Sequence, residues 1–133
     1  MTLITSKRVV PVTVDVTPGE DGSVAIACHP DPAHIIKDTS NVLIVFTLGN
    51  PAYRFRTHKT IELDVPLEDF PFASWTINDT LAALYDCNKV ADLVKYTVHV
   101  VDVTTGQEYS VDPEIKNGGG GGGGGGGDND DDC

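Results

Sequence analysis

The chain has 133 residues, 40% of them apolar, and a formal net charge of −11. That length suits one domain whose core needs no disulfide or metal to fold. The charge repels nucleic acid and anionic membranes, and no apolar run approaches the roughly 20 residues of a membrane helix, so neither partner is expected.

Val10, Val12, Val14 and Val16 alternate with Pro11, Thr13 and Asp15, the pattern of a half-buried strand, with Pro11 suggesting a sheet edge. A Thr-Pro-Gly-Glu-Asp-Gly turn follows, and Val24, Ile26 and Cys28 alternate again, so residues 9–28 predict a hairpin. Residues 29–41 form a polar loop with Pro30 and Pro32. Residues 42–48 are a short, apolar and β-branched segment, which predicts a central strand buried on both faces.

Tyr53 and Phe55 alternate with Arg54 and Arg56, and Ile61 and Leu63 alternate with Thr60, Glu62 and Asp64, giving two more strands. Residues 66–79 look irregular and aromatic, with Phe70, Phe72 and Trp75. Between Thr80 and Asp86, Leu81, Leu84 and Tyr85 fit a helical stripe, but seven residues is short for a helix, so a strand is expected. Tyr96, Val98 and Val100 alternate in the next strand, and the Thr104-Thr105-Gly106 turn returns the chain into residues 108–111.

About seven to eight short strands without a long helical pattern predict an all-β, antiparallel, immunoglobulin-like β-sandwich over residues 1–117. Tyr96 sits where such folds place a tyrosine corner. The expected core holds Val12, Val14, Val24, Ile26, Val42, Ile44, Phe46, Phe55, Trp75, Tyr96, Val98 and Val100. Residues 118–127 are ten glycines, followed by an Asp-rich end, so residues 118–133 are expected to be a disordered acidic tail with few contacts to the domain.

Cys28, Cys87 and Cys133 are odd in number, and the first residues lack a secretory pattern, so reduced thiols and a soluble cytoplasmic protein are expected. A Cys28–Cys87 bridge is geometrically open in a sandwich. Cys28, His29, Asp31 and His34 bring metal-ligand types together within residues 28–34, with His58 or His99 as a distant third ligand. The spacing matches no strong metal motif, so His29, Asp31 and His34 remain weak candidates and no bound metal or cofactor is expected. No nucleophile elbow, phosphate loop or dinucleotide fingerprint occurs.

The HPDP stretch around Asp31 and Pro32, and the late stretch YTVHVVDVTTGQEYSVDPEIKN with Asp112, Pro113 and Glu114 before polyglycine, together resemble the DP-EP family. That bacterial group takes its name from Asp-Pro and Glu-Pro motifs, and here the second motif reads Asp-Pro-Glu-Ile. The resemblance covers about residues 9–117; it implies a bacterial β-sandwich domain and carries over no catalytic residue. The function expected is a non-catalytic binding or assembly module, its protein partner meeting an edge strand or the acidic tail. The alternatives are a small metal-dependent enzyme using residues 28–34, or a structural protein whose tail mediates assembly.

Overall fold

The computed structural model describes residues 8–64 and 68–120. Among them the chain is all-β, with eleven strands in two mixed sheets and no helix. In chain order these are β1 (Val9–Pro18), β2 (Val24–His29), β3 (Ala33–Ile35), β4 (Val42–Leu48), β5 (Tyr53–Phe55), β6 (Ile61–Leu63), β7 (Trp75–Asn78), β8 (Leu81–Asp86), β9 (Asp92–Asp102), β10 (Glu108–Val111) and β11 (Glu114–Asn117). One sheet runs β2-β1-β4-β8-β7; the other runs β10-β9-β11-β3, with β5 and β6 also paired to β9.

The residues 9–28 hairpin forms as expected, β1 antiparallel to β2, with Gly22 at φ 88° supplying a turn conformation that side chains resist. β1 as a whole is not an edge strand, because β4 pairs along its other side. Pro11 nevertheless marks a local edge. The pairing with β2 reaches only to Thr13, so at Pro11 the missing N–H faces no strand.

The expectation of a purely antiparallel sandwich is corrected at two places, where β1 pairs parallel to β4 and β3 pairs parallel to β11. Parallel neighbours need a crossover, and here the route through β2 and β3 separates β1 from β4. Residues 81–86 form a strand, as expected. β3 and β7 arise inside stretches expected to be loop, and β11 follows the strand expected to be last. Three or four residues are too few to display a period of two.

The two sheets share one core. Val12, Val14, Val42, Ile44, Phe46, Phe55, Tyr96, Val98 and Val100 are buried in it, as expected, while Val24 and Ile26 are half-buried at its margin. Phe46 of β4 meets Tyr96 of β9 edge to face, with centroids 5.7 Å apart. Trp75 is the error in the expected core: it stands 45% exposed, because β7 turns it to the outside of its sheet. Tyr96 makes no tyrosine corner, since its buried hydroxyl has no hydrogen-bond partner among the described residues. Cys28 is a buried free thiol, so the Cys28–Cys87 bridge is not formed.

The fold also runs three residues into the glycine tract. Gly118 N–H donates to Ile35 C=O, Gly119 C=O accepts from Asp38 N–H, and Gly120 N–H donates to Lys89 C=O. Gly119 N–H donates to the side chain of Asn88 at 2.8 Å. Gly119 is required to be glycine twice over: its φ is 83°, and a Cβ there would lie 2.5 Å from Ala91 N. The expected separation of tail from domain therefore fails at residues 118–120, and residues 121–133 lie outside the described residues.

Two stability outcomes follow. Phe46→Ala is expected to cost about 3–5 kcal/mol in denaturant unfolding, whereas Trp75→Ala should cost under about 1 kcal/mol. Gly119→Ala should destabilise more than Gly22→Ala, whose φ is equally positive but whose Cβ would meet nothing within 4 Å.

Candidate functional site

The two motif stretches meet in space. Glu114 N–H donates to Asp31 Oδ1 at 2.9 Å, and just beyond, Ala33 and Ile115 start the parallel pairing of β3 with β11. Thr97 donates its hydroxyl to Asp112 Oδ1 at 2.8 Å. Both Asp-Pro carboxylates therefore accept hydrogen bonds from other strands or their lead-ins. That is clamping, a task for which an ionised acceptor on a short side chain is well suited.

The metal-ligand types of residues 28–34 do not converge. His29 is exposed beside Asp15, Nε2 to Oδ2 3.4 Å; Asp31 is tied to Glu114; His34 lies on the outer face of β3 next to Lys116. Burial, assisted by the charges of Asp31 and Asp15, pushes the Cys28 thiol up to about 12, which suits an inert thiol and not a thiolate ligand or nucleophile. His99, offered as a distant third ligand, instead places Nε2 2.7 Å from Glu62 Oε1. Among the described residues no three His, Cys, Asp or Glu side chains gather in a metal-holding arrangement.

Glu62, His99, Arg56 and Glu108 form the main ionic cluster. Arg56 reaches Glu108 at 3.1 Å and Glu62 at 3.2 Å, and also donates to the carbonyls of His58 and Lys59. Burial pushes the Glu62 carboxyl up, but the His99 hydrogen bond and the charges of His99, Arg56 and Lys59 outweigh it and hold the group below its ordinary value. The guanidinium is thus committed to the protein's own acceptors. The neighbouring cleft of about 430 Å³, with His58, Lys59, Glu62 and Ser74 on its wall, mixes both signs of charge.

The two outer faces of the molecule differ in kind. On the six-stranded sheet, neighbouring strands place His34 beside Lys116, Glu114 beside Lys95, Glu62 beside Thr97, and Ser110 beside His99. That is an ordinary solvent face. On the five-stranded sheet, pairing across β1, β4, β8 and β7 aligns Pro11, Val45, Ala83 and Trp75 in one row. Val9, Leu43 and Tyr85 form the next row, and Phe72 closes the end against Trp75 and Tyr85, with ring centroids 5.9 and 5.6 Å away. Val9 is 47% and Phe72 41% exposed, while Leu43, Val45 and Tyr85 are half-buried. Val9, Phe72 and Trp75 stand out to solvent around the half-buried residues between them.

Sequence reading missed this face as a site, yet its signal was present. Residues 42–48 are apolar at every position but Thr47, and residues 81–85 are apolar throughout, so both strands carry an apolar set for each side. Only one set meets the core. At the end of this sheet β7 pairs β8 on one side only, and Ile77 sits at a register shift, so the sheet's last strand is kinked beside the patch.

Replacing Val9 and Trp75 together by lysine should sharply reduce retention on a phenyl matrix, while Thr97→Lys on the opposite face should leave retention nearly unchanged. Equal effects from both would mean that the apolar rows are not the dominant sticky surface.

No protein-family profile matches the chain, and no curated protein matches it.

Proposed function

We propose that the protein is a non-catalytic assembly module that docks a protein partner across the outer face of its five-stranded sheet. One observation carries the reading: the rows Pro11–Val45–Ala83–Trp75 and Val9–Leu43–Tyr85 offer a contiguous apolar surface where the opposite sheet offers mainly charged and polar side chains around a lone exposed Leu93. Burying apolar area at roughly 25 cal/mol per Å² is the main source of association energy, and rigid aromatic anchors such as Trp75 and Phe72 lose little entropy on contact. The partner is a protein surface with complementary apolar side chains, because a flat pleated face suits another packed layer better than it suits a small molecule.

The resemblance to the DP-EP family supports the same reading in one respect. Its two motif stretches, where Asp31 receives Glu114, act as clamps within the scaffold and present no reactive group. An immunoglobulin-like arrangement would serve equally as a docking scaffold, and the reading requires only two stacked sheets.

Photo-crosslinking in the native cell tests the proposal. A photoreactive residue at Val45 should give a discrete adduct, whose mass distinguishes a second copy from another protein. The same residue at Thr97 should give none. With purified partner, the emission of Trp75, the chain's single tryptophan, should shift to the blue on binding. Absence of an adduct at Val45, or equal adducts at Val45 and Thr97, overturns the reading.

A further inference from the structure

Four polar side chains meet where β8 and β11 end. Asp86 closes β8, fully buried and opposite Val42 of β4; Asn117 closes β11; Asn88 follows β8; and Asp69 precedes β7. Asp69 is well supplied. Lys89 N–H donates to its Oδ1 at 3.0 Å, Val90 N–H to its Oδ2 at 3.2 Å, and Asn117 Nδ2 to the same Oδ2 at 3.3 Å. Asp86 Oδ1 accepts from Asn117 Nδ2 at 3.0 Å and from Asn88 N–H at 2.8 Å.

Two buried oxygens are left over, Asp86 Oδ2 and Asn117 Oδ1, and neither has a hydrogen-bond partner among the described residues. They belong to side chains already joined along one edge by Asn117 Nδ2–H donating to Asp86 Oδ1. Both are acceptors if Asp86 is ionised, and buried acceptors without donors are strongly disfavoured. One proton on Asp86 Oδ2 resolves both at once, because an amide and a carboxylic acid complement each other along two edges. We propose that Asp86 is held as a neutral acid donating Oδ2–H to Asn117 Oδ1, and that this pair is a pH-sensitive latch on residues 118–120.

The connection to the glycines runs through Asn88. Its backbone N–H rests on Asp86 Oδ1, its Nδ2 donates to the carbonyls of Ile36 and Thr39, and its Oδ1 receives Gly119 N–H. The groups facing Asp86 from its surroundings are few. Among the described residues Asp69 is the charged one; Asn88 and Asn117 are neutral, and Val42 is apolar. Asp38, Glu68 and Lys89 stand exposed on the surrounding loops, and Asp92 is exposed at the start of β9. Ionising Asp86 would bury a second negative charge beside Asp69 and break the acid–amide edge.

The electrostatic surroundings support this geometry. Burial, and more weakly the Asp69 charge, push the Asp86 carboxyl up to about 7 against the opposing hydrogen bonds from Asn88 and Asn117. The folded group thus holds its proton above the ordinary value of 3.8, and unfolding releases it. The stabilisation is complete below that value and disappears as pH rises through neutrality. The folding constant should therefore fall by up to about tenfold per pH unit between about pH 4 and 7, with no further loss from this group above that.

Carbon-13 NMR of the full chain tests the proposal. The Asp86 carboxyl carbon should titrate near neutrality, and protection of the Gly119 amide should drop in parallel. Asp86→Asn places a permanent donor at the same site, so it should flatten the decline in stability between about pH 5 and 7. If that variant does not fold, the wild-type titration decides alone. A carboxyl midpoint in the ordinary range, as a water bridging the two oxygens beside an ionised Asp86 would give, overturns the neutral acid. Gly119 protection that ignores the titration overturns the latch.

Discussion

Two stacked sheets have one interior, and β4 is apolar on both of its sides. Period-two geometry sends Val42, Ile44, Phe46 and Leu48 into the core and Leu43 and Val45 to the other face. β8 repeats the pattern with Ala82 and Leu84 against Leu81, Ala83 and Tyr85. The interior can absorb only one set from each strand. Because β4 and β8 are the inner strands of their sheet, their second sets lie side by side, and the flanking Val9, Pro11 and Trp75 widen the patch. The apolar exterior is therefore a consequence of strand order and composition together.

The ends of the sandwich are held differently. There the chain must leave the ladders, and backbone groups need other partners. Asp31 supplies one for Glu114, Asp69 supplies two for residues 89 and 90, and Asn88 serves both the loop after β3 and the glycines after β11. Much of the acidic and amide chemistry of the chain is committed in this way. The same arrangement explains why the first glycines belong to the domain: only a residue without Cβ can pass between Lys37 and Ala91 as closely as residues 118 and 119 do.

The all-β class, the first hairpin and most of the core were legible because their strands are long enough to alternate. Val12, Val14, Val98 and Val100 needed nothing more than their spacing. Trp75 misled because a large aromatic residue in an irregular stretch is usually interior, and a four-residue strand cannot declare which way it faces. The parallel pairings were hidden because pairing partners depend on the route of the chain between strands, which local pattern does not encode. The first three glycines, residues 118–120, were misjudged through their entropy alone. Ordering cost is real, but three residues can meet it when four hydrogen bonds and an occupied groove await them. The candidate face lay in plain view as two strands apolar on both sides, yet a double apolar set reads equally well as complete burial until the number of layers is known.

Several reactive side chains among the described residues are committed within the scaffold. The buried thiol of Cys28 is raised away from reactivity, His99 and Arg56 are bonded to carboxylates, and Asp31 and Asp69 hold backbone N–H groups. Each of these polar groups is engaged in holding strands and loops together. The proposed docking rests on the apolar rows of the five-stranded sheet, because apolar area gains free energy when it is buried against a partner.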